Sequence, residues 1–182
     1  MCPITRYLHH MKIFLLGYMS SGKTTLGATL AKKLSLPFID LDKEIESSQG
    51  KKITEIFDLD GEENFRLIER DVLRKAVEQN EKFVMATGGG TPCYFKNLDL
   101  MKKKGITIYL QVSLKELVRR NLQSKELRPL LRGLNELEIQ SYVNHHLKER
   151  LPFYKKASIT LNENELDLDR IIQELQLMAH SR

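Results

Sequence analysis

The chain has 182 residues, 41% hydrophobic and 29% charged, with a net charge of +5, which suits one α/β domain able to bury roughly 70% of its unfolded surface. No apolar run approaches the ~20 residues of a membrane span, residues 1–10 lack the long apolar core of a signal peptide, and no dense basic stripe interleaved with aromatics marks a nucleic-acid surface. Two cysteines, Cys2 and Cys93, supply no disulfide framework and fit a reducing, cytoplasmic compartment.

Residues 1–10 are expected to be a disordered N-terminal extension, because Met11 stands immediately before the first strand; a single domain then spans 11–182. That strand, about Lys12–Leu16, leads into Gly17-Tyr18-Met19-Ser20-Ser21-Gly22-Lys23-Thr24, the phosphate-loop pattern of Gly, any four residues, then Gly-Lys-Ser/Thr. Leu26, Leu30 and Leu34 follow at helical spacing. A strand, a tight glycine turn and a helix start make an anion cradle, since backbone N–H groups converge there and the helix N-terminus adds partial positive charge. The candidate nucleotide contacts are therefore Gly17, Ser20, Ser21, Gly22, Lys23, Thr24 and Thr25. Lys23, at a solvent-open phosphate site, is expected to reach the β- and γ-phosphates, and the Thr24 hydroxyl to sit on Mg²⁺.

A second strand, Pro37–Asp40, ends in Asp40-Leu41-Asp42 at the sheet edge where open α/β folds bind ligands. Alternation along a strand would aim both carboxylates, Asp40 and Asp42, into one cleft, one able to serve a metal through water and the other to accept a substrate hydroxyl proton. The competing reading makes Asp42 a cap for a helix opening at Lys43. Helices are expected at about 43–48 and 53–80, the second interrupted near Asp60-Gly61. Within it Arg66 and Glu69 share a face, as a surface ion pair or as a guanidinium oriented for an anion.

The third strand, Lys82–Ala86, stops at Thr87-Gly88-Gly89-Gly90, where three glycines suit close approach of a ligand to the backbone. Further strands are expected at 106–110 and 158–161, and helices at about 95–104, 113–122, 136–155 and 167–179. The alternation points to a five-stranded, mainly parallel sheet covered on both faces. The polar stretch 123–135, holding Arg128-Pro129-Leu130-Leu131, has the length of a lid. Arg150 near a helix end is a second substrate cation or a favourable terminal charge. His9-His10 and His145-His146 lack metal-ligand partners at the usual spacings and are expected to be solvated or packed.

Taken in order, these elements resemble shikimate kinase, of the nucleoside-monophosphate-kinase-like group of P-loop kinases. The matches are Gly17–Thr24, Asp40-Leu41-Asp42, Gly61-Glu62-Glu63-Asn64-Phe65-Arg66 with Glu69, Thr87–Gly90, Arg128–Leu131 and Glu149–Tyr154. The resemblance implies ATP and Mg²⁺ at Lys23, Thr24 and, through water, Asp40, with Asp42 on the reacting hydroxyl. It implies a shikimate-binding set of Asp42, Arg66, Gly88, Gly89, Gly90 and Arg150, the two arginines on the substrate carboxylate, within a region of about 42–80 and its neighbours. Two such cations would repel one another without the anion. Arg128 resembles the lid arginine that folds onto ATP, and Arg120 a residue flanking the adenine. The implied protein is a cytoplasmic monomer with a small-molecule substrate and neither nucleic-acid nor membrane partners. Ser20 departs from the glycine usual at its position, where a positive φ would cost about 1 kcal/mol; the late adenine contact, near Asn162-Glu163-Asn164, stays unassigned. The alternatives are another small-metabolite kinase such as gluconate kinase, or a non-catalytic nucleotide-binding regulator.

Overall fold

Each strand is a short apolar run, and each lies parallel to its neighbours: β1 (Lys12–Leu16), β2 (Phe38–Asp40), β3 (Phe83–Ala86), β4 (Ile106–Gln111) and β5 (Ile159–Asn162), in spatial order β2-β3-β1-β4-β5. The computed structural model describes residues 11–123, 131, 133–163 and 167–180. The connections are helical, as parallel pairing requires: α1 (Lys23–Leu34), α2 (Leu41–Gln49), α3 (Ile53–Gln79), α4 (Asn97–Lys104), α5 (Leu114–Gln123), α6 (Glu136–Tyr154) and α7 (Leu168–His180).

Strand alternation divides the interior in two. Phe14, Leu16, Phe83, Met85 and Tyr109 face α2 through α6, whereas Ile13, Leu15, Val84, Ile106, Ile108 and Leu110 face α1 and α7. β1 is central, with β3 and β4 on its two sides, so its carboxyl end opens the crevice in which such sheets bind ligands. Among the described residues no helix is long and apolar enough to cross a membrane.

Most expected elements are present to within a residue or two. The break near Asp60-Gly61 is a kink inside α3, where Gly61 adopts φ 76° and ψ 172°. The helix expected from Phe95 begins at Asn97 instead, because Phe95 and Lys96 take left-handed conformations (φ 48° and 58°) after a 3₁₀ turn at Thr91–Cys93. Residues 124–130 and 132 of the expected lid, and the expected extension at 1–10, lie outside the described residues.

One glycine is dictated by space alone. A Cβ on Gly105 would lie 2.2 Å from the Lys12 carbonyl oxygen of β1, although its extended backbone suits any residue. Gly105→Ala is therefore expected to destabilise the fold by about 2 kcal/mol or more, seen in thermal denaturation as a Tm lowered by several degrees. An unchanged Tm would contradict the packing at that corner.

Candidate active site

The loop after β1 wraps as the sequence pattern requires. Gly17 (φ 146°) and Gly22 (φ 96°) occupy conformations that side chains disfavour, and Gly22 caps the start of α1. Ser20 is also left-handed, at φ 61°. Its strain is offset from α5: the Ser20 hydroxyl donates to Asn121 Oδ1 at 3.0 Å, and Arg120 Nη1 donates to the Ser20 carbonyl at 3.3 Å. Arg120 thus stands beside the phosphate loop, steadied by Glu116 at 2.7 Å. Glu116, hydrogen-bonded by Arg119 and Arg120, is held down to about 2. Asn121 carried no recognisable motif in the sequence.

Lys23 is not solvent-open. It is only 8% exposed, and its ammonium donates to the Gly17 and Tyr18 carbonyls at 2.9 and 2.8 Å. The side chain folds back because loop carbonyls turned inward need a donor. Thr24 donates its hydroxyl to Asp40 Oδ2 at 2.8 Å, while Asp40 Oδ1 accepts from the Lys43 N–H at 3.4 Å. Asp40 is therefore the helix cap, and the reading of Asp42 as that cap is overturned. The strand argument for the two aspartates also fails: β2 ends at Asp40, and Asp42 lies in the first turn of α2. Asp42 nevertheless reaches the end of β3, its Oδ1 lying 3.2 Å from where a Gly88 Cβ would be.

Arg66 and Glu69 are not a surface pair. Arg66 is 6% exposed and Glu69 fully buried. Arg66 Nη1 donates to Glu69 at 3.0 Å, and Nε and Nη2 donate to Glu62 at 3.2 and 2.9 Å. The guanidinium also lies over the Tyr94 ring, 4.5 Å from its centroid. Among the described residues three of its five N–H donors are engaged, which leaves one each on Nη1 and Nη2, a pair matched to a carboxylate. Burial alone would lower the Arg66 pKa, but Glu69 and Glu62 outweigh it and hold the charge firmly. Burial pushes the Glu69 carboxyl up, opposed by Arg66 and by the Thr91 hydroxyl that donates to it at 2.6 Å.

The three glycines after β3 answer to this cluster. None has a positive φ. Added Cβ atoms would lie 2.7 Å from Glu69 at Gly88 and 2.6 Å from Arg66 Nη2 at Gly90; at Gly89 they would lie 3.3 Å from the Met19 nitrogen and 3.4 Å from Arg150 Nη1. The protein's own charged side chains approach these glycines closely, a second reason, beside the expected approach of a ligand, for the absence of a Cβ there. Gly90→Ala is expected to displace the Arg66 guanidinium and weaken binding of a carboxylate substrate by about ten-fold or more, with Tm falling only modestly. Equal affinity for both proteins would show that Arg66 gives way without consequence.

Arg150, on α6, is 8% exposed, and among the described residues no carboxylate pairs with it. A buried guanidinium without a counter-ion is costly unless an anion visits it. The Tyr154 hydroxyl donates to the Gly89 carbonyl at 2.5 Å and ties α6 to the glycine loop. Cys93 lies nearby, its thiol pushed up by burial to about 11, and is no nucleophile at neutral pH. Among the described residues no cluster of three or more metal-ligating side chains forms, and His145 and His146 contact Glu149 and Tyr142 instead. Arg128 lies outside the described residues.

The sequence model of shikimate kinase matches residues 19–179. The chain belongs to the shikimate kinase family. It is 43% identical over 164 residues to the shikimate kinase of Azobacteroides pseudotrichonymphae genomovar. CFP2, covering 90% of this chain and 96% of that one. Among solved structures it resembles the shikimate kinase of Bacteroides thetaiotaomicron (TM-score 0.83, 38% identity, 93% of this chain and 98% of the other). It likewise resembles the Acinetobacter baumannii shikimate kinase in complex with shikimate (TM-score 0.84, 34% identity, 99% of each chain). A shikimate kinase is an ATP-using phosphotransferase. Sequence reasoning missed Glu62 as a holder of Arg66, the Thr91 hydroxyl on Glu69, and Asn121 behind Ser20. Glu62 stood within a quoted motif, four residues before Arg66, so helical spacing alone could have found it.

Proposed function

We infer that this protein transfers the γ-phosphoryl of ATP to the 3-hydroxyl of shikimate, giving shikimate 3-phosphate for aromatic amino-acid biosynthesis. Membership of the shikimate kinase family carries the reading, and the buried arginines beside the nucleotide loop supply its physical support. In this reading the backbone N–H groups of 17–24 bind the phosphates, with Ser20, Ser21 and Thr25 at the loop and Arg120 beside the base. Lys23 stands where negative charge spreads during transfer. Thr24 and Asp40 already meet through hard oxygen atoms, which fit Mg²⁺ held by one carboxylate, water and phosphates. That ion supplies neutralisation of phosphate charge.

Arg66 and Arg150 bind the substrate carboxylate beneath Gly88–Gly90, and Asp42 orients the hydroxyl and takes its proton. Arg128 enters only by the family resemblance, as the lid residue that adds positive charge over the nucleotide. The expected mutual repulsion of the two arginines is offset, because Arg66 already carries Glu62 and Glu69.

A coupled ADP-release assay with shikimate, gluconate and nucleoside monophosphates tests the assignment; turnover with gluconate but not shikimate would overturn it. The clamp is tested with the amide analogue of shikimate. Arg66→Lys and Arg150→Lys are each expected to weaken shikimate about ten-fold or more, and the amide, already weak, much less. Equal binding of acid and amide to the unaltered protein would remove the clamp.

A further inference from the structure

Two arginines serve the proposed carboxylate site, and they are held in opposite ways. Arg66 is gripped by two carboxylates, which consume three of its N–H donors. Arg150 is held against a ring, with the Tyr154 hydroxyl beside it. Its guanidinium carbon lies 5.4 Å from the centroid of Tyr18, the second residue of the phosphate loop. Tyr18 is 1% exposed, and its hydroxyl is buried without a hydrogen-bond partner among the described residues. A tyrosine that leaves its hydroxyl unsatisfied in the interior is not retained there for that hydroxyl, since an orphaned donor is destabilising. What remains is the face of the ring.

We propose that Tyr18 is a positioning residue that seats the Arg150 guanidinium for the substrate carboxylate, a role that rests on the reading of Arg150 as a carboxylate contact. A ring face attracts a cation through its quadrupole and takes no N–H donor. A carboxylate in the same place would hold Arg150 more strongly, yet would neutralise it and compete with the ligand. The Gly89 backbone also comes close to the guanidinium, where an added Cβ would sit 3.4 Å from Nη1. Ring and glycine loop thus confine Arg150, and among the described residues no carboxylate takes its N–H groups. Because Tyr18 belongs to the loop anchored by Lys23 through the Tyr18 carbonyl, the seat is rigid.

The test is equilibrium binding of shikimate and, separately, of ATP, with kcat and KM, for Tyr18→Leu, Tyr18→Phe, Arg150→Lys and the double variant Tyr18→Leu/Arg150→Lys. Tyr18→Leu is expected to weaken shikimate by about five-fold or more, with ATP affinity changed by less than about two-fold. Tyr18→Phe keeps the ring and should restore shikimate affinity to within about two-fold of the unaltered protein while raising Tm. In the Arg150→Lys background the Leu substitution should cost little more, because it acts through Arg150. Tyr18→Met, flexible and without a π face, replaces the Leu variant if the latter does not fold. Additive losses in the double variant, or Phe as harmful as Leu, would overturn the positioning role. So would an ATP affinity that falls as far as that for shikimate. If Arg150→Lys weakens shikimate and Tyr18→Leu does not, the positioning role falls and the clamp stands; if Arg150→Lys leaves shikimate binding unchanged, the clamp falls and takes the positioning role with it.

Discussion

Lys23→Met is expected to lower kcat by roughly 10²–10³-fold, the scale on which removing one stabiliser of developing charge acts. Methionine has comparable length and no donor, so the Gly17 and Tyr18 carbonyls lose the ammonium that now bridges them. Because Lys23 is 8% exposed, the substitution should also destabilise the protein by about 1–3 kcal/mol as those acceptors go unsatisfied. Thermal denaturation and single-turnover kinetics separate the two effects. A folded variant with near-normal kcat would remove Lys23 from the chemistry and leave it as a loop anchor.

Asp42→Asn is expected to cost about 10²-fold or more in kcat, while ATP affinity holds to within about two-fold. Asparagine matches the shape and can hydrogen-bond, but cannot accept the hydroxyl proton. Its helix position makes this a sharper test than the sequence allowed, because the capping role belongs to Asp40 and should survive intact. The circular-dichroism spectrum and Tm should therefore barely move. Matching losses in ATP affinity and kcat would put Asp42 at the metal; no loss in either would leave it without a catalytic part.

The phosphate loop was legible because everything it needs is consecutive: a strand, the spaced glycines and a helix start are all local. The strands were legible for a similar reason, since parallel strands buried on both faces read as plain apolar runs. Asp42 stands beside Gly88, but not by the strand alternation that was to aim it there, because a strand that ends one residue early changes which rule governs the next side chain. Phe95 and Lys96 hid their left-handed turn, having no glycine or asparagine to announce it. The contacts around Arg150 and the glycine loop were the least visible. Arg150 meets Tyr18, and Tyr154 meets Gly89, only because α6 returns to the mouth of the sheet, and no periodicity encodes such a meeting.

The escort of Arg66 by two carboxylates also bears on how fast an anion finds the cleft. Seen from beyond a Debye length of ~8 Å, the Arg66 group with Glu62 and Glu69 carries one net negative charge, for three unit charges of opposite sign do not cancel. The field that captures a passing carboxylate must then come from Arg150 and the cationic phosphate loop, while Arg66 offsets half of the repulsion of its own carboxylates and binds at contact. Stopped-flow measurement should accordingly find that Arg150→Gln slows shikimate association and flattens its dependence on ionic strength. Arg66→Gln takes that group from one net negative charge to two, so it should slow association as well and, in addition, shorten the residence time of the ligand. A residence time left unchanged by Arg66→Gln would show that Arg66 does not hold the ligand at contact.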